Sequence, residues 1–118
     1  MMIKIEAYIR EEKFEDVKAA LDAINVNGLT VYQVMGCGLQ RGYGEIVRGM
    51  EVDMQMQPKI KFEIIVSSEE YEEKVVNAIQ EAAYTGEVGD GKIFTFEIRS
   101  ALKIRTKETG YDAIQEAE

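Results

Sequence analysis

The chain has 118 residues, a net charge of −8, one cysteine and no histidine. That length predicts a single domain, residues 1–118, able to bury a core without disulfides; the lone Cys37 fits a reducing compartment. The missing histidine excludes phosphohistidine chemistry and His-based triads and argues against zinc, and the acidic balance leaves no basic footprint for nucleic acid or anionic membrane. No apolar run approaches the length of a membrane span, and the alternating start reads as a strand rather than a signal peptide, so a soluble, cytoplasmic protein is expected.

Ile3, Ile5, Ala7 and Ile9 alternate with Lys4, Glu6, Tyr8 and Arg10, the period of a strand with one buried face. Acids over 11–16 then suit a helix start, and Phe14, Val17, Leu21 and Ile24 recur at helical spacing until 25–28 end the helix. Residues 29–35 are rich in strand formers. A third strand is expected over 60–66, with Ile60, Phe62, Ile64 and Val66 on one side. Ser67 with Glu70 reads as a capping box for a second helix striped by Tyr71, Val75, Ile79 and Ala82. Residues 92–98 make a fourth strand, 102–105 a possible edge, and 107–118 an acidic, solvated tail. The order βαββαβ predicts an α+β, ferredoxin-like fold: an antiparallel sheet with two helices on one face.

Two stretches carry chemistry. Residues 36–57 separate strands that should form a hairpin, and they hold Gly36, Gly38, Gly42, Gly44 and Gly49 with Met50, Met54 and Met56. A loop of that length is usually functional, and methionines give an adaptable surface for a partner protein; the bland alternative is that part of it extends the two strands. The run Thr85-Gly86-Glu87-Val88-Gly89-Asp90-Gly91-Lys92 places three glycines and a lysine just before the fourth strand. Glycines let successive N–H groups line a concavity and lysine adds a point charge, so the run reads as a phosphate cradle, against the plain alternative of a chain-reversing turn.

The glycine run, the Ile104-Arg105-Thr106 triplet, the long glycine-bearing loop, the opening Ile5-Glu6-Ala7 and Pro58-Lys59 at the loop's close together resemble the PII signal-transduction proteins, from about residue 3 to Ile114. The resemblance implies a trimeric, cytoplasmic, non-enzymatic sensor that binds ATP or ADP in clefts between subunits. It implies 2-oxoglutarate binding together with Mg-ATP, and control of partners through the long T-loop, here about 37–57. Those partners are ammonium-transport channels, which would recruit the protein to the membrane, or enzymes and regulators of nitrogen assimilation. Nucleotide contacts are implied for Gly28, Thr30, Glu63 and Ile65 on the adenine side, for Gly36, Cys37, Gly38, Leu39 and Gln40 at the T-loop base, for Val88, Gly89, Asp90, Gly91 and Lys92, and for Lys103 and Arg105 beside the phosphates. Gln40, Lys59, Gly38, Gly42 and Gly89 are implied for 2-oxoglutarate, with Gln40 also on Mg, and Arg48, Met50, Glu51 and Val52 for the partner.

The chain departs from the family pattern in several places. Leu39 stands where a basic residue usually touches phosphate, Lys103 replaces arginine and loses its two-pronged donor geometry, and Tyr84 and Glu87 make the rim of the glycine turn less positive. Val52 occupies the position of the uridylylated tyrosine and has no hydroxyl to modify. These changes motivate an alternative, a divergent adenine-nucleotide sensor that ignores 2-oxoglutarate and regulates a different transporter or enzyme. A phosphate-cleaving enzyme would need a histidine or an arginine–asparagine pair around an aligned water, and an RNA binder a basic sheet face with exposed aromatics.

Overall fold

The computed structural model describes residues 1–26, 28–39 and 54–114. Its elements in chain order are strand β1 (Met2–Arg10), a 3-10 turn (Glu11–Lys13), helix α1 (Phe14–Ala23), strands β2 (Thr30–Leu39) and β3 (Met54–Val66), helix α2 (Glu69–Ala83), strand β4 (Gly91–Ile98) and a second 3-10 turn (Gly110–Ile114). The four strands form one sheet in the order β2-β3-β1-β4, and every neighbouring pair is antiparallel. This is the ferredoxin-like βαββαβ fold that the element order predicts.

The period-two pattern of β1 survives in full, with Ile3, Ile5, Ala7 and Ile9 buried. Ile60, Phe62, Ile64 and Val66 bury the same side of β3, and Val17, Leu21, Val75, Ile79 and Ala83 cover them from the two helices. Phe14 stacks on Phe62 with ring centroids 5.7 Å apart. Helix α1 ends in a Schellman motif: Asn25 takes the left-handed conformation at φ 65°, Val26 N–H donates to Leu21 O at 3.0 Å, and Asn25 N–H donates to Asp22 O at 3.0 Å. Leu21 and Val26 then meet in the core as the apolar pair of that motif. Tyr71 Oη donates to Ile24 O at 2.8 Å, so helix α2 satisfies a carbonyl that the end of α1 would leave open.

Three sequence expectations shift. The cap of α2 is Ser68 rather than Ser67: its Oγ accepts from Tyr71 N–H at 3.1 Å, and with tyrosine at that third position no reciprocal Glu70 box forms. Val66 is the last core residue of β3, Ser67 links it to the cap, and Val75, Ile79 and Ala83 of the helix reach the core. Residues 102–105 do not join the sheet. They belong to a C-terminal hairpin closed by a Leu102–Thr109 bridge and by Gly110 N–H donating to Ala101 O at 3.1 Å. Finally, β2 and β3 continue as a paired ribbon to Leu39↔Met54, so the stretch between the strands narrows to 40–53.

The helix-free face of the sheet is built from the other side chains of the same strands. Glu6 lies opposite Glu63 on β3 and Phe94 on β4, and Tyr8 lies opposite Lys61 and Lys92. Lys61 Nζ stands 3.7 Å from Glu6 and 3.4 Å from Glu63, and Lys4 Nζ stands 3.2 Å from Glu6. Loss of water pushes the Glu6 carboxyl up, but the hydrogen bond from Lys4 and the charge of Lys61 outweigh it and hold the group below its usual range. A lowered folded-state value gives stability that is present above the unfolded-state value of 4.5 and lost as pH falls through the folded-state value. Urea melts of Glu6→Gln should therefore show a loss of up to about 1 kcal/mol at pH 7, with the gap to the native chain closing as pH drops below 4.5.

At the start of β4, Gly91 has φ 110°, and a Cβ there would lie 1.7 Å from the Tyr8 carbonyl oxygen. Both the conformation and the contact forbid a side chain. Gly91→Ala should cost about 3 kcal/mol or more in chemical denaturation, by forcing β4 away from β1.

Candidate functional site

The glycine run forms the connection from α2 to β4, with Gly86 at φ 90° and Gly89 at φ 106°. Its organising group is Asp90. The carboxylate accepts from Thr85 N–H at 2.8 Å, Gly86 N–H at 2.9 Å, Arg10 Nε at 3.0 Å and the Thr85 hydroxyl. The Thr85 hydroxyl and backbone, then Arg10 and Gly86, hold its pKa far below the carboxylate range despite partial loss of water. Two cations close on the loop's carbonyls: Arg10 Nη2 donates to Val88 O at 2.8 Å and Lys59 Nζ donates to Gly89 O at 2.6 Å. Glycines beside both cations leave room for the approaches. A Cβ on Gly89 would lie 3.2 Å from the Arg10 guanidinium, and one on Gly36 would lie 3.2 Å from the Lys59 stem.

This loop forms one wall of an open cleft of about 540 Å³. Gly36, Cys37, Lys59, Gly89, Asp90, Gly91 and Lys92, all singled out from the sequence, line it. Tyr8, Glu87 and Phe94 complete the lining. Tyr8 and Phe94 pack edge to face with centroids 6.1 Å apart, giving the cleft an apolar side beside its charged one. Val88 is almost wholly exposed on the loop's outer side.

The adenine-side residues sit elsewhere. Gly28, Thr30, Glu63 and Ile65 line a second open cleft of about 520 Å³, together with Asn25, Ser67, Tyr71 and the C-terminal Ala113 and Ile114. Five residues of β2 lie between Thr30 and Gly36, a span of about 20 Å of extended chain. The structure thus brings the expected site residues together as two groups in separate clefts, one at the Thr30–Glu63 end of the β2–β3 ribbon and one further along it beside the glycine loop.

Lys103 and Arg105 line neither cleft. Lys103 is turned into the C-terminal hairpin, its side chain 8% exposed and its Nζ 3.6 Å from Glu108. Arg105 is exposed near the hairpin's tip. Leu39 and Gly38 are paired with Met54 and Gln55 at the end of the ribbon. Gln40, Gly42, Arg48, Met50, Glu51 and Val52 lie outside the described residues. Sequence reading missed Arg10 and named Thr85 only as the first residue of the glycine run. Arg10 looked like any outward residue of an alternating strand, and only the β1–β4 register sets it beside a carboxylate 80 positions away.

Among the described residues no group of three or more His, Cys, Asp or Glu could hold a metal ion, and no helix is long and apolar enough to cross a membrane. The family model for Nitrogen regulatory protein P-II matches residues 2–108. The Nitrogen regulatory protein P-II 1 of Methanothermobacter thermautotrophicus is 50% identical over 113 residues, covering 96% of this chain and 97% of that one. The structure of B. subtilis GlnK superposes with a TM-score of 0.79 at 38% identity, covering 96% of this chain and 98% of GlnK. A B. subtilis GlnK–ATP complex gives 0.78 at 35% identity, with 96% and 95% coverage. The fold and relatives matched across nearly their whole length agree: this chain belongs to the P-II family of nitrogen regulatory proteins.

Proposed function

We propose that this chain is a sensor that binds ATP or ADP and, with Mg-ATP, 2-oxoglutarate, and that it signals through the shape of the T-loop. The separation of its two clefts carries this reading. Thr30, Glu63 and Ile65 line one cleft, and the glycine loop with Lys59 and Lys92 lines another further along the sheet. The two groups line separate clefts on one chain, and symmetry-related copies joined through the open sheet face would bring the Thr30–Glu63 cleft of one chain to the glycine loop of the next. That face exposes Phe94 and Phe96, as a surface covered in an assembly would. A closed homotrimer with nucleotide between subunits satisfies the arrangement, and the ATP held by the related B. subtilis GlnK supports it.

In this arrangement the Gly89 to Lys92 run cradles phosphates, Lys92 supplying charge, while the Tyr8–Phe94 pair gives an apolar wall. Mg would arrive on the nucleotide, ligated chiefly by phosphate and water, with Gln40 the protein's contribution. Lys59 would pair with a carboxylate of 2-oxoglutarate, and because that effector needs the nucleotide-bound metal, its binding is coupled to ATP. The output is T-loop engagement of an ammonium transporter or of an enzyme or regulator of nitrogen assimilation. Val52 excludes uridylylation at the usual position.

The alternative, a nucleotide sensor indifferent to 2-oxoglutarate, draws on Lys103, held in its hairpin beside Glu108 rather than presented as a free phosphate contact. Calorimetric titration of 2-oxoglutarate separates the two. Binding only in the presence of Mg-ATP is the expected result; ATP binding with no response to 2-oxoglutarate under any condition would leave the alternative. Lys92→Ala should weaken ATP by about tenfold or more, the scale of a lost charge-assisted phosphate contact, while leaving the circular dichroism spectrum unchanged.

A further inference from the structure

We infer that Arg10 and Asp90 are positioning residues: a cation and carboxylate whose side chains hold the glycine loop in its anion-binding shape without those side chains touching the anion. The inference rests on the reading that this loop receives nucleotide phosphates. A loop of that sequence has three glycines in six residues and, left to itself, would sample many shapes, all but one of them surrendered on binding. Something must hold it beforehand, and the structure shows what does.

Asp90 looks from its place in the run like a ligand residue, but its acceptors are already used. One carboxylate oxygen takes Thr85 N–H and Gly86 N–H at 2.8 and 2.9 Å, and the other takes Arg10 Nε at 3.0 Å and the Thr85 hydroxyl. A carboxylate has about four lone-pair sites, so this set fills it. An ionised Asp90 facing a triphosphate directly would also repel it. The four contacts instead tie the beginning of the loop to its end and anchor both to β1.

Arg10 does the matching work on the other side. It spends Nε on Asp90 and Nη2 on Val88 O at 2.8 Å, and next to it Lys59 Nζ takes Gly89 O at 2.6 Å. In a trans peptide the carbonyl and the following N–H point in opposite directions. Fixing the carbonyls of Val88 and Gly89 on cations therefore fixes the N–H groups of Gly89 and Asp90 facing away from those cations. Two consecutive peptide dipoles are thus set before any ligand arrives, the preorganisation that makes backbone donors effective toward anions. Arg10 suits this role better than lysine would, since its planar fork reaches a carboxylate and a carbonyl at once.

The test is titration of intact native protein, Arg10→Gln, Asp90→Asn and the double variant with ATP and with adenosine, which carries no phosphate. Each single change should weaken ATP by about tenfold, the double should be no weaker than the worse single, and adenosine should bind all four alike. If Asp90→Asn does not fold, Arg10→Gln decides alone, because the Thr85 and Gly86 contacts of Asp90 survive it. Equal losses for ATP and adenosine would make the pair a purely structural brace and overturn the inference, as would unchanged ATP affinity in Arg10→Gln. Failure of the native protein to bind ATP would overturn the nucleotide reading itself.

Discussion

The close approach of β4 to β1 at Gly91 is the constraint on which the candidate site depends. The backbone there passes so near the Tyr8 carbonyl that no Cβ fits. That contact fixes the register Ile9↔Gly91, and the register fixes the rest: Lys92 falls opposite Tyr8, Phe94 opposite Glu6, and Arg10 lies one residue beyond the last pair. From that position Arg10 reaches Asp90 and Val88, while Lys59, its partner across β3, reaches Gly89. A slip of one residue would turn Lys92 and Phe94 to the helix side and carry the loop out of reach of both cations.

An acidic protein can still present a site for an anion, because charge acts locally. At physiological ionic strength exposed charges more than about 8 Å apart are largely screened. What matters is that Arg10, Lys59 and Lys92 converge at one end of the sheet. Asp90 at the same place stays ionised and is paired with Arg10, so the two charges largely cancel and Lys59 and Lys92 set the local field. Glu87 is the one acid of the cleft lining without such an internal role in the loop, and it makes this rim less welcoming to phosphate than a cation would.

Most of the fold was legible in the sequence because it follows from local periodicity. Ile3, Ile5, Ala7 and Ile9 announced a half-buried strand, and Val75 and Ile79 announced the buried stripe of α2. Boundaries were less legible where two residues of the same chemistry compete, as Ser67 and Ser68 do for the cap. The glycine loop was readable as a backbone that must curl, and the resemblance to PII proteins located its neighbours. Arg10 was not readable. Its partner is a carboxylate most of the chain away, and nothing in an alternating strand marks one outward cation as different from another. Lys103, read as a phosphate contact from its place near a family motif, lies 3.6 Å from Glu108 within its own hairpin, a pairing that local periodicity does not reveal.

The helix-free face of the sheet also distinguishes the possible functions of this fold. Aromatic side chains are present there, since Phe94 and Phe96 are exposed and Tyr8 lies between them and Lys61. Aromatics on such a face could stack on bases, but an RNA-binding face also needs unspent positive charge. Here Lys61 sits 4.7 Å from the Tyr32 ring and between two carboxylates, and Lys4 is committed to Glu6 and to the ring of Phe96. A surface whose charges are paired within the chain, and whose aromatics remain uncovered, has little left for a polyanion but much for a second protein surface of the same kind. On the proposed reading, the copies that cover those rings are the ones that carry the Thr30–Glu63 end of one chain to the glycine loop of the next, so that assembly and ligand binding draw on the same face.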